Sequence, residues 1–76
     1  MNVNKLVRMA NQIAENFDYG AGDDKAADGV LDHLRRFWTP DMKAAIIEYR
    51  QSDGASLSKV AALAVDRLAE ERSTAA

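Results

Sequence analysis

The sequence predicts an all-α fold: a small bundle of four short helices forming a single domain over residues 1–76. Three observations carry this. Apolar residues recur at three- and four-residue spacing in four separate segments, which is the helical period. β-branched residues never cluster in alternation, so no strand is signalled. The single proline, Pro40, and the glycine pair Gly20 and Gly22 fall between the periodic segments, where turns belong.

The first helix is predicted over residues 4–17. Leu6, Met9, Ala10, Ile13 and Phe17 form one stripe, with Arg8, Asn11 and Glu15 opposite. Asn4 suits the N-cap, because its side-chain oxygen can accept from a free backbone N–H. Gly20 and Gly22 then break the helix. The second helix is predicted over residues 24–37. Ala27, Val30, Leu34 and Phe37 make its stripe, with Leu31 beside it. Asp23 or Asp24 can cap it, and Arg35 and Arg36 suit its negative end.

Thr39-Pro40 is the clearest punctuation. Thr39 reads as an N-cap and Pro40 as the first helical residue, where its missing N–H costs nothing. The residue before a proline avoids helical geometry, so the second helix must stop near Trp38. The third helix runs to about Gln51, with Met42, Ala45, Ile46 and Tyr49 inward and Ile47 off the stripe. Gly54 is a C-terminal stop. Ser58 caps the fourth helix, with Leu57 placed to staple onto Ala62. Val60, Ala61, Ala64 and Leu68 face inward there. Residues 72–76 are predicted to fray.

Composition narrows function. Ten basic and twelve acidic side chains give a net charge of −2, which argues against general nucleic-acid binding. There is no cysteine, so no disulfide and no thiolate metal site. The one histidine, His33, cannot build a histidine-rich zinc site. A domain this small buries only about 60–65% of its unfolded surface. With disulfide and metal absent, a protein partner is the remaining support. No apolar run is long enough to span a bilayer, and residues 1–5 carry no apolar signal core. A cytoplasmic protein without membrane contact is expected.

Reactive constellations are missing. Asp28 and Asp32 share a helix face and could clamp a cation, but a solvated acidic face is the commoner case. Residues 18–29 have the length of a calcium loop but not its pattern. The glycine required at its sixth position is Asp23, and the closing glutamate is Gly29. Gly20 and Gly22 make no phosphate loop, since no strand precedes them and no Gly-Lys-Ser/Thr follows.

The densest stretch is Asp32-His33-Leu34-Arg35-Arg36-Phe37-Trp38-Thr39-Pro40-Asp41-Met42. Adjacent Phe37 and Trp38 cannot both sit centrally in one small core. Phe37 lies on the stripe and reads as core. Trp38 either covers the corner between the second and third helices or is displayed to a partner, since tryptophan and arginine are typical interface anchors. Ile47 and Leu63, off their stripes, can extend an apolar patch. A helix–turn–helix-like regulator is the competing reading of this corner, and the net charge disfavours it.

This stretch, with Leu6-Val7-Arg8-Met9-Ala10-Asn11-Gln12-Ile13-Ala14 and Leu57-Ser58-Lys59-Val60-Ala61-Ala62-Leu63, resembles the delta subunit of NAD-dependent formate dehydrogenase. Thr39 stands where that family often has an acid, and Asp41 where it often has a base. The resemblance implies a non-catalytic subunit of a cytoplasmic enzyme oxidising formate to carbon dioxide. The other subunits of that enzyme would carry a molybdenum (or tungsten) pterin, iron–sulfur clusters and FMN, with NAD as acceptor. It implies binding to the alpha subunit to stabilise it or, alternatively, transient help with pterin insertion as a maturation chaperone. No catalytic, cofactor-binding or metal residue carries over. The expected partner-binding residues are Arg8, Asn11, His33, Arg35, Arg36, Trp38 and Ile47.

Overall fold

The computed structural model describes residues 2–17, 20 and 22–74, with side chains described as far as Arg72. Four helices follow in order: α1 (Val3–Asn16), α2 (Asp23–Phe37), α3 (Pro40–Ser52) and α4 (Lys59–Thr74). Among the described residues there is no strand. The radius of gyration is 11.3 Å, against about 11 Å expected for a packed chain of this length. None of the helices is long and apolar enough to cross a membrane. The most extensive packing is between α2 and α4, and α1 rests across α2, α3 and α4.

The start of α1 lies earlier than expected. Asn2, not Asn4, is the cap: its Oδ1 accepts from the N–H groups of Asn4 at 3.0 Å and Lys5 at 3.4 Å. Asn4 is itself helical. Leu6, Val7, Ala10 and Ala14 are buried, while Met9, Ile13 and Phe17 are half-buried at the stripe edge. Phe17 lies against the α2 backbone at Gly29, where a Cβ would sit 2.4 Å from its Cδ1.

The start of α2 is a correction. Its N-cap is Gly22 at φ +104°, with no side-chain cap bond. Asp23 and Asp24 stand in the first helical turn instead, and their carboxylates pair across to Lys59 and Arg67 of α4. The calcium-like stretch is only partly within the described residues, since Asp18, Tyr19 and Ala21 lie outside them.

The end of α2 overturns the core expectation for Phe37 and gives Trp38 the first of its two alternatives, covering the corner. Trp38 is extended (φ −87°, ψ 140°), as the following Thr39-Pro40 requires. Leaving the helix carries its indole into the core, where it is 5% exposed. Phe37, the last helical residue, is 69% exposed. A helical wheel through Phe37 assumes that the core continues past that turn; Trp38 closes it first.

Thr39 Oγ1 accepts from the Met42 N–H at 3.2 Å, and Pro40 opens α3. Ile46 is fully buried. Ile47, expected off the stripe, is half-buried against the core because α3 packs on both α1 and α4. Gly54 (φ +71°) follows the Asp53 C-cap of α3, and the close Arg50 backbone leaves little room for a Cβ. Ser58 Oγ accepts from the Ala61 N–H at 3.2 Å, starting α4. Ala61, Ala64, Val65 and Leu68 are buried there, so Val65 joins the expected set while Val60 is only half-buried. Helical geometry continues to Thr74, so residues 72–74 are in the last turn rather than beyond it; Ala75 and Ala76 lie outside the described residues.

Exposed ion pairs line the helix seams. Arg67 reaches Asp24 and Asp28, both at 2.7 Å, and Arg50 grips Asp66 of α4 at 3.0 Å. Asp28 is thus tied to a guanidinium, and Asp32 pairs with Arg36 at 3.2 Å. Such pairs orient helices more than they stabilise them, at about 0–1 kcal/mol each.

Candidate docking surface

The outward face of α1 grades from buried to exposed. Met9 and Ile13, one turn apart, lie on its edge, and Lys5, Arg8 and Gln12 stand fully outside. Across from them, α2 contributes His33, and the junction after α2 contributes Trp38. Together these seven side chains line a shallow, open groove of about 510 Å³. Its floor is apolar, and no acidic residue lines it.

A second depression continues the first. It shares Lys5 and Met9 and extends to Leu6, Thr39 and Met42. The two form one track along α1, from Ile13 to the start of α3. Beyond the His33 wall, the Phe37 ring stands 4.8 Å from the imidazole, tilted at 48°. These two residues are one turn apart on α2, which brings their rings together on its surface. Phe37 is the one large apolar side chain exposed among the described residues, and its ring lies against His33 of the groove wall.

The expected contact residues divide. Arg8, His33 and Trp38 meet in the groove. Trp38 meets it as part of the wall, with its body in the core. The arginine pair lies apart. Arg35 Nε donates to Glu71 Oε2 at 3.0 Å, and its Nη2 pairs with Glu71 Oε1. The hydrogen bond from Arg35 holds the Glu71 carboxyl below its ordinary range, with the charges of Arg35 and Lys43 adding to it against partial desolvation. The same bond raises the Arg35 guanidinium. Lys43 Nζ donates to the Arg35 carbonyl at 3.1 Å, satisfying an acceptor at the α2 end. Arg36 Nε donates to Asp32 at 3.2 Å, one turn back. Bonding to Asp66 likewise raises Arg50.

Asn11 is engaged inside the chain. Its Nδ2 donates to the Ser56 carbonyl at 2.8 Å, and its Oδ1 accepts from the Ser58 N–H at 2.8 Å. Tyr49 adds to this by accepting the Ser56 N–H on its hydroxyl at 3.1 Å. Ile47 opens onto a different depression, between α3 and α4, lined by Gln51 and Arg72 among others. It shares no lining residue with the Trp38 groove.

Sequence reasoning missed Lys5, Met9, Gln12, Ile13 and Met42 as members of this surface, and Phe37 as the exposed ring beside it. Met9, Ile13 and Met42 carry the same periodic signal as core residues. Only the width of the neighbouring helix contact decides which side of the edge they fall on. Among the described residues, no group of three or more His, Cys, Asp and Glu side chains is placed to hold a metal ion.

A family model described as the NADH-dependant formate dehydrogenase delta subunit FdsD matches residues 5–65, well over half of the chain. No curated protein and no solved structure matches. The matched span contains the whole groove wall and the Thr39-Pro40 corner.

Proposed function

The chain belongs to the delta-subunit family of NADH-dependent formate dehydrogenase, and from that premise we propose that it is a non-catalytic accessory subunit. It binds and stabilises the cofactor-bearing alpha subunit of the cytoplasmic complex that oxidises formate to carbon dioxide and reduces NAD. The observation that carries the reading is Phe37, 69% exposed beside His33 of an apolar groove. An exposed aromatic next to an apolar channel stabilises an assembly once a partner covers it.

The chemistry of such an enzyme belongs to its other subunits. Iron–sulfur clusters are held by cysteine thiolates, and this chain has no cysteine. The molybdenum (or tungsten) pterin and FMN likewise fall to those subunits. What this chain supplies is a rigid surface: α1 and the Thr39-Pro40 corner, fixed by caps at Asn2 and Thr39.

Co-expression of the tagged chain with the alpha subunit tests this. The expected result is one copy per alpha subunit in the purified, active enzyme, and faster thermal inactivation when the chain is left out. Absence from the active enzyme, with binding only to cofactor-free alpha subunit, would transfer the role to maturation. No association in either state would overturn both readings.

A further inference from the structure

We propose that the groove along α1 seats an acidic amphipathic segment of the alpha subunit. Its apolar side chains would lie on Met9, Ile13 and Met42, and its carboxylates on Lys5 and Arg8. The proposal rests on the accessory-subunit reading and adds to it the face used and the chemistry of what fills it.

Charge distribution is the first argument. The chain is net acidic, yet no acidic side chain lines either part of the groove. Arg35, Arg36, Arg50, Lys59 and Arg67 each hold a carboxylate within the chain. Lys5 and Arg8 form no ion pair among the described residues, and both stand on the groove rim. They are one turn apart on α1, so both can meet carboxylates on one passing segment. Such pairs speed encounter and fix register more than they add affinity.

The apolar floor is the second argument. Met9 and Met42 are unbranched and polarizable, suited to packing against a helix laid in a groove. Trp38 and His33 form the far wall, with the exposed Phe37 ring beside His33. The track is open along its length rather than closed into a pocket, which favours a chain segment over a small molecule.

A photo-crosslinking amino acid in place of Gln12, an exposed groove residue, reads the occupant directly in the purified complex with the alpha subunit. The expected product joins this chain to an alpha-subunit peptide rich in Asp, Glu and apolar residues. A product with a second copy of this chain, a product with a basic peptide, or no product while the complex forms overturns the proposal and leaves the accessory reading standing. Failure of the complex itself to form overturns both.

Charge reversal is the second measurement. Lys5→Glu with Arg8→Glu should weaken alpha-subunit binding at low salt by about tenfold or more and flatten its salt dependence, as loss of rim charges does. Lys25→Glu with Arg72→Glu reverses the same number of charges away from the groove and should stay within about twofold, since remote exposed charges are screened. Equal effects from both pairs would reject the assignment. Circular dichroism of each variant confirms its helices, and Lys5→Gln with Arg8→Gln repeats the test without new negative charge.

Discussion

The Oδ1 atom of Asn11 in α1 accepts the backbone N–H of Ser58 at 2.8 Å, 47 residues away, at the entrance to α4. The other end of the same carboxamide donates to Ser56. One side chain therefore fixes the loop between α3 and α4 onto the first helix, in place of regular backbone pairing.

Asn11→Ala should destabilise the fold by about 1–2 kcal/mol, since a loop donor and acceptor lose their partner. Urea unfolding followed by circular dichroism checks this. Asn11→Asp keeps the acceptor and loses the donor, so it should fall between wild type and Asn11→Ala. If Asn11→Ala instead keeps full stability and abolishes alpha-subunit binding, the residue faces the partner.

Gly29 and Phe17 should show coupled energetics. An alanine at Gly29 meets the Phe17 ring at 2.4–2.8 Å. Overpacking of this kind costs about 1–3 kcal/mol, against about 1 kcal/mol gained in helix propensity. Gly29→Ala alone should therefore be neutral to destabilising. In a Phe17→Ala background the clash is gone, and Gly29→Ala should stabilise by about 1 kcal/mol. A double-mutant cycle that shows simple additivity would contradict the contact.

Trp38 and Phe37 should separate stability from binding. Trp38→Ala removes a core indole and should cost about 3–5 kcal/mol, a large share of the roughly 4–11 kcal/mol expected for a chain this size. Its loss of binding would then reflect unfolding. Phe37→Ser should leave thermal unfolding nearly unchanged and still lower the yield of complex. Retained yield would remove Phe37 from the docking surface.

The Arg35–Glu71 pair sets a sign for acid stability. The Glu71 carboxyl titrates lower in the folded chain than its ordinary 4.5, because Arg35 bonds the charged form. A depressed carboxylate contributes stability that is present above the unfolded value and lost as pH falls through the folded one. The stability gap between wild type and Glu71→Gln should be constant above about pH 5 and shrink below that. Both side chains are more than a third exposed, so the plateau should be no more than about 1 kcal/mol. Urea midpoints across pH 3–7 measure it.

Much of the fold was legible because its signals are local. Thr39-Pro40, Gly54 and Ser58 act within a few residues, and the structure uses each as expected. The α2 cap was misread because Asp23 and Asp24 have partners on α4, which no local pattern reveals. Phe37 departs from its expected core position for a similar reason. Periodicity places Phe37 inside, but the chain leaves the helix one residue later, and the larger Trp38 side chain fills the space. Of the expected contact residues, Arg8, His33 and Trp38 line one groove. Arg35 and Asn11 bond elsewhere in the chain, to partners 36 and at least 45 residues away in sequence, which no local pattern reveals.

Trp38 is the chain's one tryptophan, seated with its body in the core and its edge on the groove wall. It is therefore a native optical reporter for two events at once. Unfolding brings the indole into water and shifts its emission to longer wavelength. Occupation of the groove changes its surroundings while the helices persist, so the emission responds with the helical signal held constant.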